Sequence, residues 1–89
     1  MNSVTTLRFR KAYAELPDHI KEQTKKAFQT WKKDIHHPGI QFKQVHKVEA
    51  IYSVRITLSY RALGVKQKNT MIWFWIGSHS EYDKLIASL

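Results

Sequence analysis

The chain has 89 residues, 43% of them apolar, with three Trp, four Tyr, four Phe and no Cys; 15 Lys and Arg stand against seven Asp and Glu, a formal net charge of +8. That length suits one domain, 1–89, and the apolar content excludes a disordered chain, which lacks the surface to offset its ordering entropy. Without Cys, a disulfide framework and a Cys-based zinc site are excluded; residues 1–10 carry no signal-peptide run and the longest apolar stretch, 71–76, is too short to span a bilayer, so a soluble cytoplasmic protein is expected.

The first third reads as helical. Phe9, Ala12, Tyr13 and Leu16 recur at helical spacing, and Leu16-Pro17-Asp18 breaks the pattern, since Pro suits a helix entrance and not its interior. A second helix is predicted over 18–33, with the stripe Ile20, Thr24, Ala27, Phe28 and Trp31 and its lysines on the other faces. His37-Pro38-Gly39 ends the helical hairpin.

Strands follow. Residues 41–45 read as a short first strand. Over 51–59, Tyr52, Val54, Ile56 and Leu58 share one face, and Ser53, Arg55, Thr57 and Ser59 the other. The next strand, 60–66, puts Arg61, Leu63 and Val65 on one face, after a bend, bulge or very tight connection at Ser59-Tyr60. Lys68-Asn69 suits a two-residue turn. Residues 70–77 form an apolar run typical of a strand covered on both faces, hence central. Ser78-His79-Ser80-Glu81 reads as a capping box opening a short last helix with the stripe Tyr82, Leu85, Ile86 and Leu89. The expected fold class is α+β: a helical hairpin, and the helices generally, on one face of a curved, mostly antiparallel sheet of three or four strands.

The charge implies an anionic partner, with nucleic acid the commonest; a basic surface kept for solubility or an acidic protein partner fits the same number. There is no Gly-rich phosphate loop, no placed pair of carboxylates and no nucleophile triad. His36 and His37 are adjacent and point apart in an extended loop, so solvated histidines are expected there and no metal. The remaining candidates are Arg55 on the polar face of its strand, Arg61 at the start of the next, Lys43 and Lys47 flanking the first strand, and His79 and Tyr82, three residues apart and able to face the same space. Against these stand a core role for Tyr82, which lies in an apolar stripe, and a solvated cap role for His79.

The order Leu16-Pro17, His37-Pro38, Phe42-Lys43, Tyr52-Ser53-Val54-Arg55-Ile56, Tyr60-Arg61-Ala62-Leu63 and Trp73-Phe74-Trp75-Ile76-Gly77-Ser78-His79, then Glu81-Tyr82-Asp83, resembles the RelE/ParE superfamily of toxins from type II toxin–antitoxin modules, over nearly the whole chain. The resemblance implies a microbial-RNase-like fold and, in the RelE-like branch, cleavage of mRNA at the ribosome without a metal or other cofactor: the ribose 2′-hydroxyl attacks the adjacent phosphate. It implies Arg61 as phosphate clamp, His79 as general acid or base, Tyr82 as a base-positioning or auxiliary group, and Arg55, Lys43 and Lys47 as RNA backbone contacts. It further implies an antitoxin partner covering the Arg55 and Arg61 face. The sheet carries no counterpart of the catalytic Glu kept by some members; Glu49 falls in a predicted turn. The ParE branch, which inhibits DNA gyrase, and a non-catalytic RNA-binding module on the same scaffold are the alternatives.

Overall fold

The computed structural model describes residues 1–89. It begins with a strand that periodicity did not announce, β1 (Asn2–Thr5). Thr6 turns the chain into α1 (Leu7–Ala14), its side-chain oxygen accepting from the Phe9 N–H at 3.1 Å. Pro17, extended at φ −56°, opens α2 (Asp18–Lys33), where it removes no needed donor. The predicted stripe is the buried one: Ile20, Thr24, Ala27 and Trp31 are shielded from water, with Phe28 half-buried beside them.

Four strands follow: β2 (Lys43–Gln44), β3 (Ile51–Thr57), β4 (Tyr60–Gln67) and β5 (Thr70–Ser78). The sheet order is β1-β5-β4-β3-β2, with β2 to β5 antiparallel and β1 parallel to β5. The sheet is therefore mixed and has five strands where three or four were expected; it is mostly antiparallel, as expected, with β1–β5 the parallel pairing. β1 escaped because Asn-Ser-Val-Thr has no apolar alternation; its partner is 68 residues away, with Asn2 opposite Thr70. β2 is shorter than 41–45 because Gln41 adopts φ 50°, a left-handed conformation incompatible with a strand. The connection at Ser59-Tyr60 is tight, as expected. Leu58 and Ser59 form the turn, and the β3–β4 register shifts between Arg55 and Thr57. The turn and bulge carry Leu58 off its predicted apolar face to 74% exposure.

The helical hairpin covers one face of the sheet. Phe9, Ala27 and Trp31 pack against Val54, Ile56, Ala62, Met71, Trp73 and Ile76. Trp73 is the hub: Phe28 and Trp31 meet it edge-on, with ring centroids 4.9 and 5.4 Å away. A Cβ at Gly64 would lie 2.7 Å from the Trp73 ring, so the closeness of strand to ring requires glycine there. A second register shift, opposite Phe74, explains how Trp73 and Ile76, three residues apart, both reach this face.

α3 (His79–Ser88) takes the opposite face, where all helices had been expected on one. Its Tyr82 is buried against Ser53 and lies beside Trp75, two residues that face away from the hairpin. β5 runs into α3 without a loop: Ser78 ends the strand and caps the helix. The reciprocal Ser78–Glu81 capping box is present as the sequence predicts.

Candidate functional site

Strand register assembles a cationic row on the sheet face away from the hairpin. Arg55 of β3, Arg61 of β4 and Gly77 of β5 are direct neighbours across the strands. The bulge after Arg55 and the β3–β4 turn crowd carbonyls around Arg61. Its Nη1 donates to Thr57 O at 2.6 Å and Tyr60 O at 3.1 Å, which fixes the guanidinium at the sheet end. Partial burial lowers the Arg61 pKa below its ordinary value, and the neighbouring Arg55 charge lowers it further; Tyr82 and Asp83 act in the opposite direction. An incompletely neutralised, partly desolvated cation is a favourable seat for an anion.

α3 brings a titratable group to this row. The His79 N–H donates to Ser59 O at 2.7 Å, tying the start of α3 to the β3–β4 turn. His79 Nδ1 lies 3.1 Å from Asp83 Oδ2, one helical turn on. With Nδ1–H directed at the carboxylate, the neutral imidazole presents Nε2 as a proton acceptor. Tyr82 stands with its ring centroid 5.8 Å from that of His79, as the three-residue spacing suggested. It is 9% exposed, however, and its hydroxyl donates inward to the Ser53 hydroxyl at 3.3 Å. Tyr82 thus props up the helix that carries His79.

The other candidates spread outward. Lys43 is exposed and sits opposite Ser53, on the same face but two strands from Arg61, about 10 Å by strand spacing. Lys47 is exposed in the connection between β2 and β3, outside the row. Glu49 lies in that same connection, its carbonyl accepting from the Ile51 N–H and Gln44 Nε2.

Two residues of the site were not singled out from sequence. Asp83 was available to such a reading, since a His and an Asp four apart in a helix face each other. Trp75 was hidden in the apolar run. It is half-exposed on the Arg61 face, and a Cβ at Gly77 would lie 2.6 Å from its ring. The indole thus lies over Gly77, the cross-strand neighbour of Arg61, as a flat surface beside the cations. The largest cavity, about 330 Å³, is elsewhere, between β1 and the helical hairpin, and Phe9, Tyr13, Phe28 and Trp73 make its walls apolar.

A helical hairpin on a five-stranded mixed sheet, with a basic opposite face and a C-terminal helix across it, is the fold of the RelE-like toxins. The match over the chain agrees: residues 18–84 match the ParE-like toxin domain, and the chain belongs to that family, within the RelE/ParE superfamily of toxins. Among solved structures it is similar to the RelB-RelE antitoxin-toxin complex from Methanococcus jannaschii, with a TM-score of 0.72 and 18% identity over 91% of this chain and 96% of that one. It is also similar to the YoeB/ParE toxin from Agrobacterium tumefaciens (TM-score 0.68, 15% identity, 89% and 99% covered). A third likeness is to the archaeal RelE-RelB complex from Pyrococcus horikoshii OT3 (TM-score 0.69, 10% identity, 86% and 92% covered). At these identities the likeness is one of fold. No curated protein matches the chain in sequence.

Proposed function

We propose that this toxin acts as an endoribonuclease on translated mRNA, using its own side chains. The observation that carries the reading is the juxtaposition of Arg61, paired across the strands with Arg55, and a His79 whose Nδ1 is held by Asp83. His79 Nε2 takes the proton of a ribose 2′-hydroxyl, and the 2′-oxygen bonds to the adjacent phosphorus. The bond to the 5′-oxygen breaks and that oxygen leaves with a proton from water, giving a 2′,3′-cyclic phosphate and a 5′-hydroxyl. Arg61 stabilises the extra negative charge on the pentavalent phosphorus, where a preorganised cation acts most strongly. Trp75 offers a stacking surface for a base, and Lys43, Lys47 and Arg55 hold the backbone. Tyr82 is auxiliary, through the placement of α3. The cognate partner is an antitoxin covering the Arg55 and Arg61 face, as the RelB-RelE complexes suggest.

The ParE-like family match favours a second reading, inhibition of DNA gyrase without RNA cleavage. Controlled expression separates the two. The nuclease reading expects growth arrest with cleavage of translated mRNA. It expects His79→Ala to lower cleavage by about 10²-fold or more while the protein stays folded. Full toxicity of His79→Ala and Arg61→Ala, with gyrase supercoiling blocked, would overturn it. Harmless expression with retained RNA binding would leave a non-catalytic binding module.

A further inference from the structure

A second polar cavity, about 210 Å³, opens at the sheet edge between α2, the segment that follows it and β3. Two elements line it with donors. Gln23 and Lys26 come from one face of α2 and His37 from the connecting segment, while Arg55 of β3 borders the cavity. No carboxylate lines it, and neither Lys26 nor Arg55 has an acid within ion-pair distance; of the acids on α2, Asp18 pairs with Lys21 and Glu22 with Lys25, and the Asp34 carboxylate beyond that helix accepts the His36 N–H. His37 is already oriented: its Nδ1 accepts the Gly39 N–H at 3.1 Å, so the neutral ring keeps Nε2–H as its free donor. The Thr30 hydroxyl is spent on Lys26 O at 3.0 Å and adds no donor. Arg55 belongs both to this lining and to the row of Arg61.

We infer that this cavity holds a second phosphate of the RNA strand whose reacting phosphate sits at Arg61, with Arg55 between the two. Phosphate oxygens only accept hydrogen bonds, which matches a lining that offers the Lys26 ammonium, the His37 imidazole N–H and the Gln23 amide. RNA fits better than an acidic protein segment because the cavity and the Arg61 row adjoin at Arg55, the spacing along which a continuous phosphate backbone runs. The strand's identity rests on the nuclease reading; anion binding in the cavity does not.

Nuclear magnetic resonance titrations of the intact protein test this. The probes are inorganic pyrophosphate, a single-stranded dinucleotide and tetranucleotide blocked by a 2′-deoxy group at the cleaved position, and a poly-glutamate peptide. Pyrophosphate and the tetranucleotide are expected to shift His37 and Gly39 saturably. The protein should prefer the tetranucleotide over the dinucleotide about tenfold, the effect of one charge-assisted hydrogen bond. Lys26→Ala should abolish that preference and Lys26→Arg restore it. If the tetranucleotide shifts Gly77 and His79 but not His37 and Gly39, the second phosphate site is wrong and the nuclease reading survives. If pyrophosphate alone shifts His37 and neither oligonucleotide binds, the RNA assignment and the nuclease reading fall together. Shifts with poly-glutamate and none with RNA would replace the proposal by a protein-docking surface.

Discussion

Tyr82 supports the proposed site from beneath it. The ring is buried between α3 and the sheet, and its hydroxyl meets Ser53, itself only 2% exposed. Tyr82→Phe keeps the ring that supports His79 and removes the hydroxyl. The expected cost is about 1 kcal/mol in urea unfolding, because Ser53 is left buried without that partner. RNA cleavage should persist, since nothing that places His79 has moved. Lost cleavage at unchanged stability would mean that the hydroxyl acts on substrate. Asp83 and Arg61 differ in how much of their role sequence can show. The His79–Asp83 contact is local and follows from helical spacing. The Arg61 contacts to Thr57 and Tyr60 depend on a bulge and a two-residue turn, which no residue pattern in the strand announces.

Among the three helices, α3, which carries the His79 of the proposed site, has the smallest buried share. Of its ten residues only Tyr82 is buried. Its attachment comes from that anchor, from the His79 N–H to Ser59 O bond and from the capping box. Ser78→Ala removes an N-cap and should cost about 1 kcal/mol in chemical denaturation. Amide exchange should rise within α3 while β4 and β5 remain protected, because those strands have neighbours on both sides. Uniform loss of protection across the sheet would show instead that α3 and the sheet unfold as one unit. β1 makes the complementary point. Its four residues carry little apolar surface, yet β1 seals the β5 edge, and its Ser3 hydroxyl accepts from Trp73 Nε1 at 3.0 Å.

Over the whole molecule, a net charge of +8 on 89 residues favours capture of polyanions and opposes compaction by self-repulsion. Arg55 and Arg61 concentrate that conflict, because like charges directly opposite across strands destabilise. Arg55→Gln should therefore stabilise the fold by about 0.2–1 kcal/mol, with the gain shrinking as salt rises. The sign with pH follows from the lowered Arg61 pKa. The folded chain holds that proton less readily than the unfolded chain does. The penalty is thus constant across neutrality and is relieved only as pH climbs through the folded value, far into the alkaline range. The gain from Arg55→Gln should accordingly be flat around neutral pH. The same variant should weaken single-stranded RNA binding and reduce the slope of log K against log salt by about 0.7, one phosphate contact. Thermal unfolding and binding at several salt concentrations check both halves; a variant less stable than the parent would contradict the repulsion.

Local periodicity determined much of this protein by itself. The α2 stripe, the Pro17 break, the β3 alternation as far as Ile56, the β4 alternation and the Ser78–Glu81 box follow from residue spacing, and all appear in the fold. It also placed Arg55, Arg61, His79 and Tyr82 on the elements where they are found. Tertiary structure alone decided what depends on contacts between distant segments. Those are the parallel pairing of β1, the side of the sheet taken by α3, the inward turn of the Tyr82 hydroxyl and the meeting of Lys26 and His37 with Arg55. The physical reason is that spacing fixes which residues share a face, whereas register, bulges and the layer packed above decide whether that face is open to a ligand or closed.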